Sequence, residues 1–110
     1  MVIYQWCATP QEEHWNDARE LVHHFAEFAR TNLDWPHGVV MVSGTHASKP
    51  FVSIEFAFDD AEGFQSGWER LMRHEDTADL WRVLVPLLDT DSIRRAVYDE
   101  QYSRAETPEH

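Results

Sequence analysis

Phe51-Val52-Ser53-Ile54-Glu55-Phe56-Ala57-Phe58-Asp59-Asp60 alternates in character and then stops at two aspartates. A period of two puts Val52, Ile54, Phe56 and Phe58 on one side of a strand. Phe51, Ser53, Glu55 and Ala57 take the other side. Asp59 or Asp60 is expected to cap a helix that follows, because a short carboxylate can accept the free N–H groups of a first helical turn. That helix carries an inner stripe of Phe64, Trp68, Leu71 and Met72. Upstream, Val39 to His46 is β-branched and strand-like, and His46-Ala47-Ser48-Lys49-Pro50 reads as the hairpin loop joining the two runs.

The flanks repeat the scheme. Val2 to Ala8 alternates, with Val2, Tyr4, Trp6 and Ala8 on one face and Ile3, Gln5 and Cys7 on the other. Thr9-Pro10-Gln11-Glu12 has the form of a helix start: a Thr cap, Pro at the first helical position and Glu closing a capping box. A helix from Gln11 to Leu33 then repeats Trp15, Ala18, Val22, Phe25, Ala29 and Leu33 at three- and four-residue steps. It should end at Asp34-Trp35-Pro36-His37-Gly38, since a proline disfavours helix in the residue before it. Beyond the central stripe, His74-Glu75-Asp76 interrupts the second helical stretch, Thr77 is expected to cap a further segment, and Pro86 to end it. Arg95 to Tyr102 alternates as a last strand.

Strand, helix, strand, strand, helix, strand specifies an α+β, ferredoxin-like βαββαβ sandwich. Right-handed crossovers place the first and third strands at the centre, giving an antiparallel sheet of order 4-1-3-2 with both helices on one face. Residues 1–102 are expected to form one domain and residues 103–110 a polar tail. The second sheet face stays apolar enough to want a cover, and a second copy of the same sheet needs only one self-complementary patch.

The chain has 110 residues and a formal net charge of -11. Nucleic acid and anionic membrane surfaces are poor partners for such a charge. Lys49 is the only lysine. No apolar run approaches the ~20 residues that span a bilayer, and the N-terminus enters a strand without a signal-type apolar core. Cys7, the single cysteine, has no partner for an internal disulfide. A cytoplasmic protein is expected.

Val2 to Thr9, the long helix ending at Trp35-Pro36-His37-Gly38, Phe51 to Phe56 running into Asp59-Asp60-Ala61, and Trp68-Glu69-Arg70-Leu71 with the terminal strand together resemble the dimeric α/β-barrel superfamily. The branch they resemble contains antibiotic-biosynthesis-type monooxygenases and NIPSNAP-like proteins. The resemblance is one of pattern over nearly the whole chain. It implies a homodimer with a ligand cavity between the sheet and the helices of each subunit. Superfamily members include cofactor-free oxygenases, haem-degrading enzymes, polyketide cyclases and proteins of no known activity. The Asn-Phe-Trp constellation of the oxygenases is not evident in this chain.

Five tryptophans are heavy usage for this length. Tyr4, Trp6, Trp15, Trp68 and Trp81 can all point into the layer between sheet and helices. Tyr4, Trp6, Trp68 and Trp81 are the candidates to hold a planar apolar or aromatic ligand; as plain core they would fill the sandwich. His14 and His46 are the candidate proton carriers. The alternative for His14 is a boundary residue packed beside Trp15. His46 and Glu55 can form a carboxylate–imidazole pair, or Glu55 can pair with Arg94 or Arg95. His23 and His24 diverge on the helix, so no metal site is expected there, and Gly63 and Gly67 lack the lysine of a phosphate loop. Two functions follow: a cofactor-independent oxygenase or cyclase acting on a planar, polyketide-like substrate, or a non-catalytic dimerisation or ligand-binding module. A haem-binding member of the same fold is a third.

Overall fold

The computed structural model describes residues 1–42 and 50–99. Strand β1 (Val2–Pro10) leads through a 3₁₀ turn (Glu12–His14) into helix α1 (Trp15–Asn32). Strands β2 (Val39–Val42) and β3 (Val52–Phe58), helices α2 (Ala61–Arg73) and α3 (Glu75–Leu84), and strand β4 (Leu88–Asp99) complete the chain. The sheet order is β2-β3-β1-β4, the expected 4-1-3-2 read from the other edge. All three pairings are antiparallel.

Register decides the faces. Tyr4 pairs with Phe56 and Trp6 with Ile54; Val40 pairs with Ile54; Trp6 pairs with Arg95 on the other flank. These residues share the helix side of the sheet. The core there holds Tyr4, Trp6, Val52, Ile54, Phe56 and Phe58 from the sheet. From α1 it receives Ala18, Val22, Phe28 and Ala29, and from beyond α1 Leu33 and Trp35. The opposite face carries Ile3, Gln5 and Cys7 on β1, Val39 and Met41 on β2, and Tyr98 on β4, with Val39, Met41 and Tyr98 exposed.

Four local expectations are corrected. Thr9 and Pro10 do not start α1. They continue β1, pairing with Asp89 and Leu88 across a register shift after Cys7. The Thr9 N–H goes to the Ser92 hydroxyl (2.7 Å), so a tertiary contact wins over a local capping signal. β4 accordingly begins at Leu88, earlier than Arg95. Thr77 does not cap α3; its hydroxyl donates to the Leu71 carbonyl (2.8 Å), while the His74 side chain accepts from the Asp76 N–H (3.1 Å) and supplies the cap. Trp15 is only half-buried, and Trp35, from the loop after α1, fills the core in its place.

Asp60, one of the two expected caps of α2, accepts from the Gly63 N–H at 2.7 Å. Pro86 ends α3 by a turn of 3₁₀ geometry. At the C-terminus of α1, Asp34 adopts a left-handed conformation (φ 56), which aspartate tolerates better than most side chains. The N–H groups of Leu33 and Trp35 both return to the Ala29 carbonyl. Arg70 of α2 donates to the Leu33 and Asp34 carbonyls, so one arginine closes the helix end and ties the two helices together.

Candidate functional site

The helices leave a cavity of about 390 Å³ above the sheet. Its floor is Tyr4 and Trp6 of β1 with Ile54 of β3, and its walls include Phe25 of α1, Trp68 of α2 and Trp81 of α3. Each helix reaches it through its apolar stripe, and α3, after the break at His74, adds Leu80, Trp81 and Leu84 to the lining.

The rings meet at defined angles. Tyr4 lies 5.5 Å from Trp68 at 62° between planes, and 6.0 Å from Phe64 at 28°. Trp6 and Trp81 meet edge to face at 6.0 Å. The four aromatic residues expected from the sequence to hold a ligand therefore share one cavity.

The polar groups on the wall are few. The Tyr4 hydroxyl has no hydrogen-bond partner among the described residues. Burial pushes its pKa up and the Arg95 charge pulls it back in part, so near neutral pH Tyr4 is a donor. The indole N–H of Trp6 is buried without a partner among the described residues. His74 packs edge-on against Phe28 (4.9 Å) and uses Nδ1 to accept the Asp76 N–H. That bond leaves Nε2 as the ring's donor when the imidazole is neutral. Arg95 sits at the rim, its guanidinium carbon 5.5 Å from the centre of the Trp81 ring. No carboxylate lines the cavity among the described residues.

The two candidate proton carriers do not join this group. His14 ends the 3₁₀ turn before α1, 3.9 Å from the Glu13 carboxylate and away from the cavity wall. The extension of β1 to Pro10 moved the helix start past it. His46 lies outside the described residues. Glu55 faces the side of the sheet away from the helices and accepts from the Gln5 amide at 3.3 Å. Arg94 instead donates to the Asp91 and Ile93 carbonyls. His74 and Arg95, which do reach the wall, carried only weak signals in the sequence. The alternation that put Arg95 on one face of its strand did not say which face the helices cover. Among the described residues no group of three or more His, Cys, Asp or Glu is placed to hold a metal ion, and no helix is long and apolar enough to cross a membrane.

No protein-family profile matches the chain, and no curated protein matches it. Solved structures do. A Deinococcus radiodurans protein assigned as an antibiotic biosynthesis monooxygenase aligns over 90% of this chain and 91% of its own, with a TM-score of 0.64 at 17% identity. An uncharacterized NIPSNAP domain protein from Burkholderia xenovorans aligns over 90% and 93%, with a TM-score of 0.67 at 12% identity. SnoaB of Streptomyces nogalater, a cofactor-independent oxygenase solved in a mutant form, aligns over 89% and 90%, with a TM-score of 0.63 at 10% identity. The chain has the ferredoxin-like α+β fold of the antibiotic-monooxygenase and NIPSNAP-like proteins. At identities of 10–17% the likeness is one of fold alone.

Proposed function

We propose that this protein binds a planar, largely apolar aromatic molecule in the cavity between helices and sheet, and that it does so as a homodimer. One observation carries the reading: Tyr4, Trp6, Trp68 and Trp81, from three separate elements, converge on the same cavity of about 390 Å³. Aromatic-walled concavities with few polar groups favour flat apolar guests. The dimer is supported by the exposed Val39, Met41 and Tyr98 on the sheet face that no helix covers.

The binding test is a titration of intrinsic tryptophan fluorescence with methyl 2-naphthoate, a neutral flat probe. Saturable quenching is expected, with affinity weakened about tenfold in Trp81→Ala, the loss of one aromatic contact face. Absence of any saturable change overturns the reading. Light scattering at micromolar concentration should return twice the chain mass; a well-folded single chain removes the dimer.

The likeness to SnoaB favours a second reading, in which the same cavity oxygenates or cyclises its guest without a cofactor. Oxygen uptake with a polyhydroxylated naphthalene tests it. Uptake that falls in His74→Ala but not in His14→Ala assigns proton movement to the cavity wall. A fall in His14→Ala or His46→Ala assigns it to the two histidines expected from the sequence. No uptake leaves binding alone.

A further inference from the structure

Arg95 is an exposed arginine of the edge strand β4 that reaches the cavity. It pairs with Trp6 in the β1–β4 register, so its side chain leaves the sheet on the side that faces the helices. Positions on that side of the central strands are apolar throughout: Val2, Tyr4, Trp6 and Ala8 on β1, Val52, Ile54, Phe56 and Phe58 on β3. Arg95 lines the cavity and lies over the Trp81 ring. A ring face holds a guanidinium in place but uses none of the donors in its plane.

Four other arginines spend their donors inside the protein, while Arg19 and Arg73 are exposed and do not line the cavity. Arg30 and Arg82 pair with Glu27 and Asp79, each at 2.8 Å. Arg70 closes the end of α1, and Arg94 bonds the Asp91 and Ile93 carbonyls. Arg95 has no hydrogen bond or ion pair among the described residues. The Trp6 ring, which pairs with Arg95 across β1 and β4, packs edge to face on the same Trp81 ring. The chain has 20 acidic residues, yet none of those described lines this cavity.

We propose that the cavity takes an aromatic carboxylate, with its ring against Tyr4, Trp68 and Trp81 and its carboxylate held by Arg95 at the rim. This rests on the aromatic-binding reading above and adds the charge of the ligand to it. The planar guanidinium fork matches a carboxylate with two parallel hydrogen bonds. Without a local cation the preference would run the other way, because a chain of formal charge -11 repels anions.

The test compares 2-naphthoate with methyl 2-naphthoate at neutral pH, by calorimetry, in the wild type, Arg95→Met and Arg95→Lys. The acid is expected to bind the wild type about tenfold more tightly than the ester, the scale of one hydrogen-bonded charge pair. In Arg95→Met the acid-to-ester ratio should fall to one or below, and Arg95→Lys should restore part of it. Circular dichroism checks that each variant is folded, and the exposed position of Arg95 makes both substitutions compatible with the fold. Equal wild-type binding of acid and ester, or an acid preference that survives Arg95→Met, overturns the proposal and leaves the aromatic-binding reading standing. Failure of both probes to bind overturns the two together.

Discussion

The indole nitrogen of Trp35 donates a 2.8 Å hydrogen bond to the carbonyl oxygen of Gly67, joining the segment after α1 to the middle of α2. A side chain at Gly67 would crowd this contact. A Cβ there would lie 3.0 Å from Trp35 Nε1 and 3.0 Å from Phe58 Cε1. Both rings are held in the core, and Trp35 is packed edge-on by Phe56 at 4.8 Å and Phe58 at 5.3 Å. Gly67→Ala gains about 1 kcal/mol of helix propensity but forces these rings apart, which costs about 1–3 kcal/mol. A net loss of about 1 kcal/mol is expected from denaturant unfolding. A stabilised variant would mean that the rings yield.

Gly38 is tighter still. A Cβ on it would stand 2.7 Å from Phe56 Cε1, and Phe56 is fully buried. Gly38→Ala should therefore cost more than Gly67→Ala, about 2–3 kcal/mol. The order of the two unfolding midpoints is the check.

Arg70 should matter more to α1 than to its own helix. Its donors close the Leu33 and Asp34 carbonyls. Arg70→Met keeps the aliphatic stem and removes those bonds, at a cost of about 1–2 kcal/mol. Amide exchange should quicken in the last turn of α1 and stay unchanged in the middle of α2.

His74 caps α3 through Nδ1. His74→Ala should lose about 1 kcal/mol, whereas His74→Asn, which can also accept at a helix start, should lose little. Equal losses in the two variants would show that the packing of the imidazole on Phe28, not the cap, supplies the stability.

Tyr4 predicts an alkaline transition. Its native pKa is raised above 10.0 by burial, with Arg95 opposing in part. Below about pH 10 both the native and unfolded phenols keep their protons, so the native state holds its full stability. As pH rises past the unfolded value the unfolded chain ionises first, and stability falls until the native phenol ionises too. Tyr4→Phe should flatten the decline of unfolding free energy above about pH 10. An unchanged slope would place Tyr4 in contact with water.

Much of the architecture was legible because it is written in short periods. The alternation of β3 and the stripe of α1 name their buried faces without reference to anything distant. The capping signal of Thr9 is local, while its true partner, Ser92, lies on β4. Trp35 sits in a loop, which has no period to declare which side is inward. The aromatic set was legible for the same reason as the strands: Tyr4, Trp6 and Trp68 sit on faces that patterning assigns.

The sequence by itself determined the element order, the sheet order and the apolar sides of β1, β3 and α1, since steric periodicity and crossover handedness act within single units of chain. Only the tertiary structure decided that Arg95 stands across from Trp6, that Trp35 fills the centre, that His74 reaches the cavity and that His14 does not. Register and loop course depend on partners far along the chain, and no local pattern encodes where those partners will be.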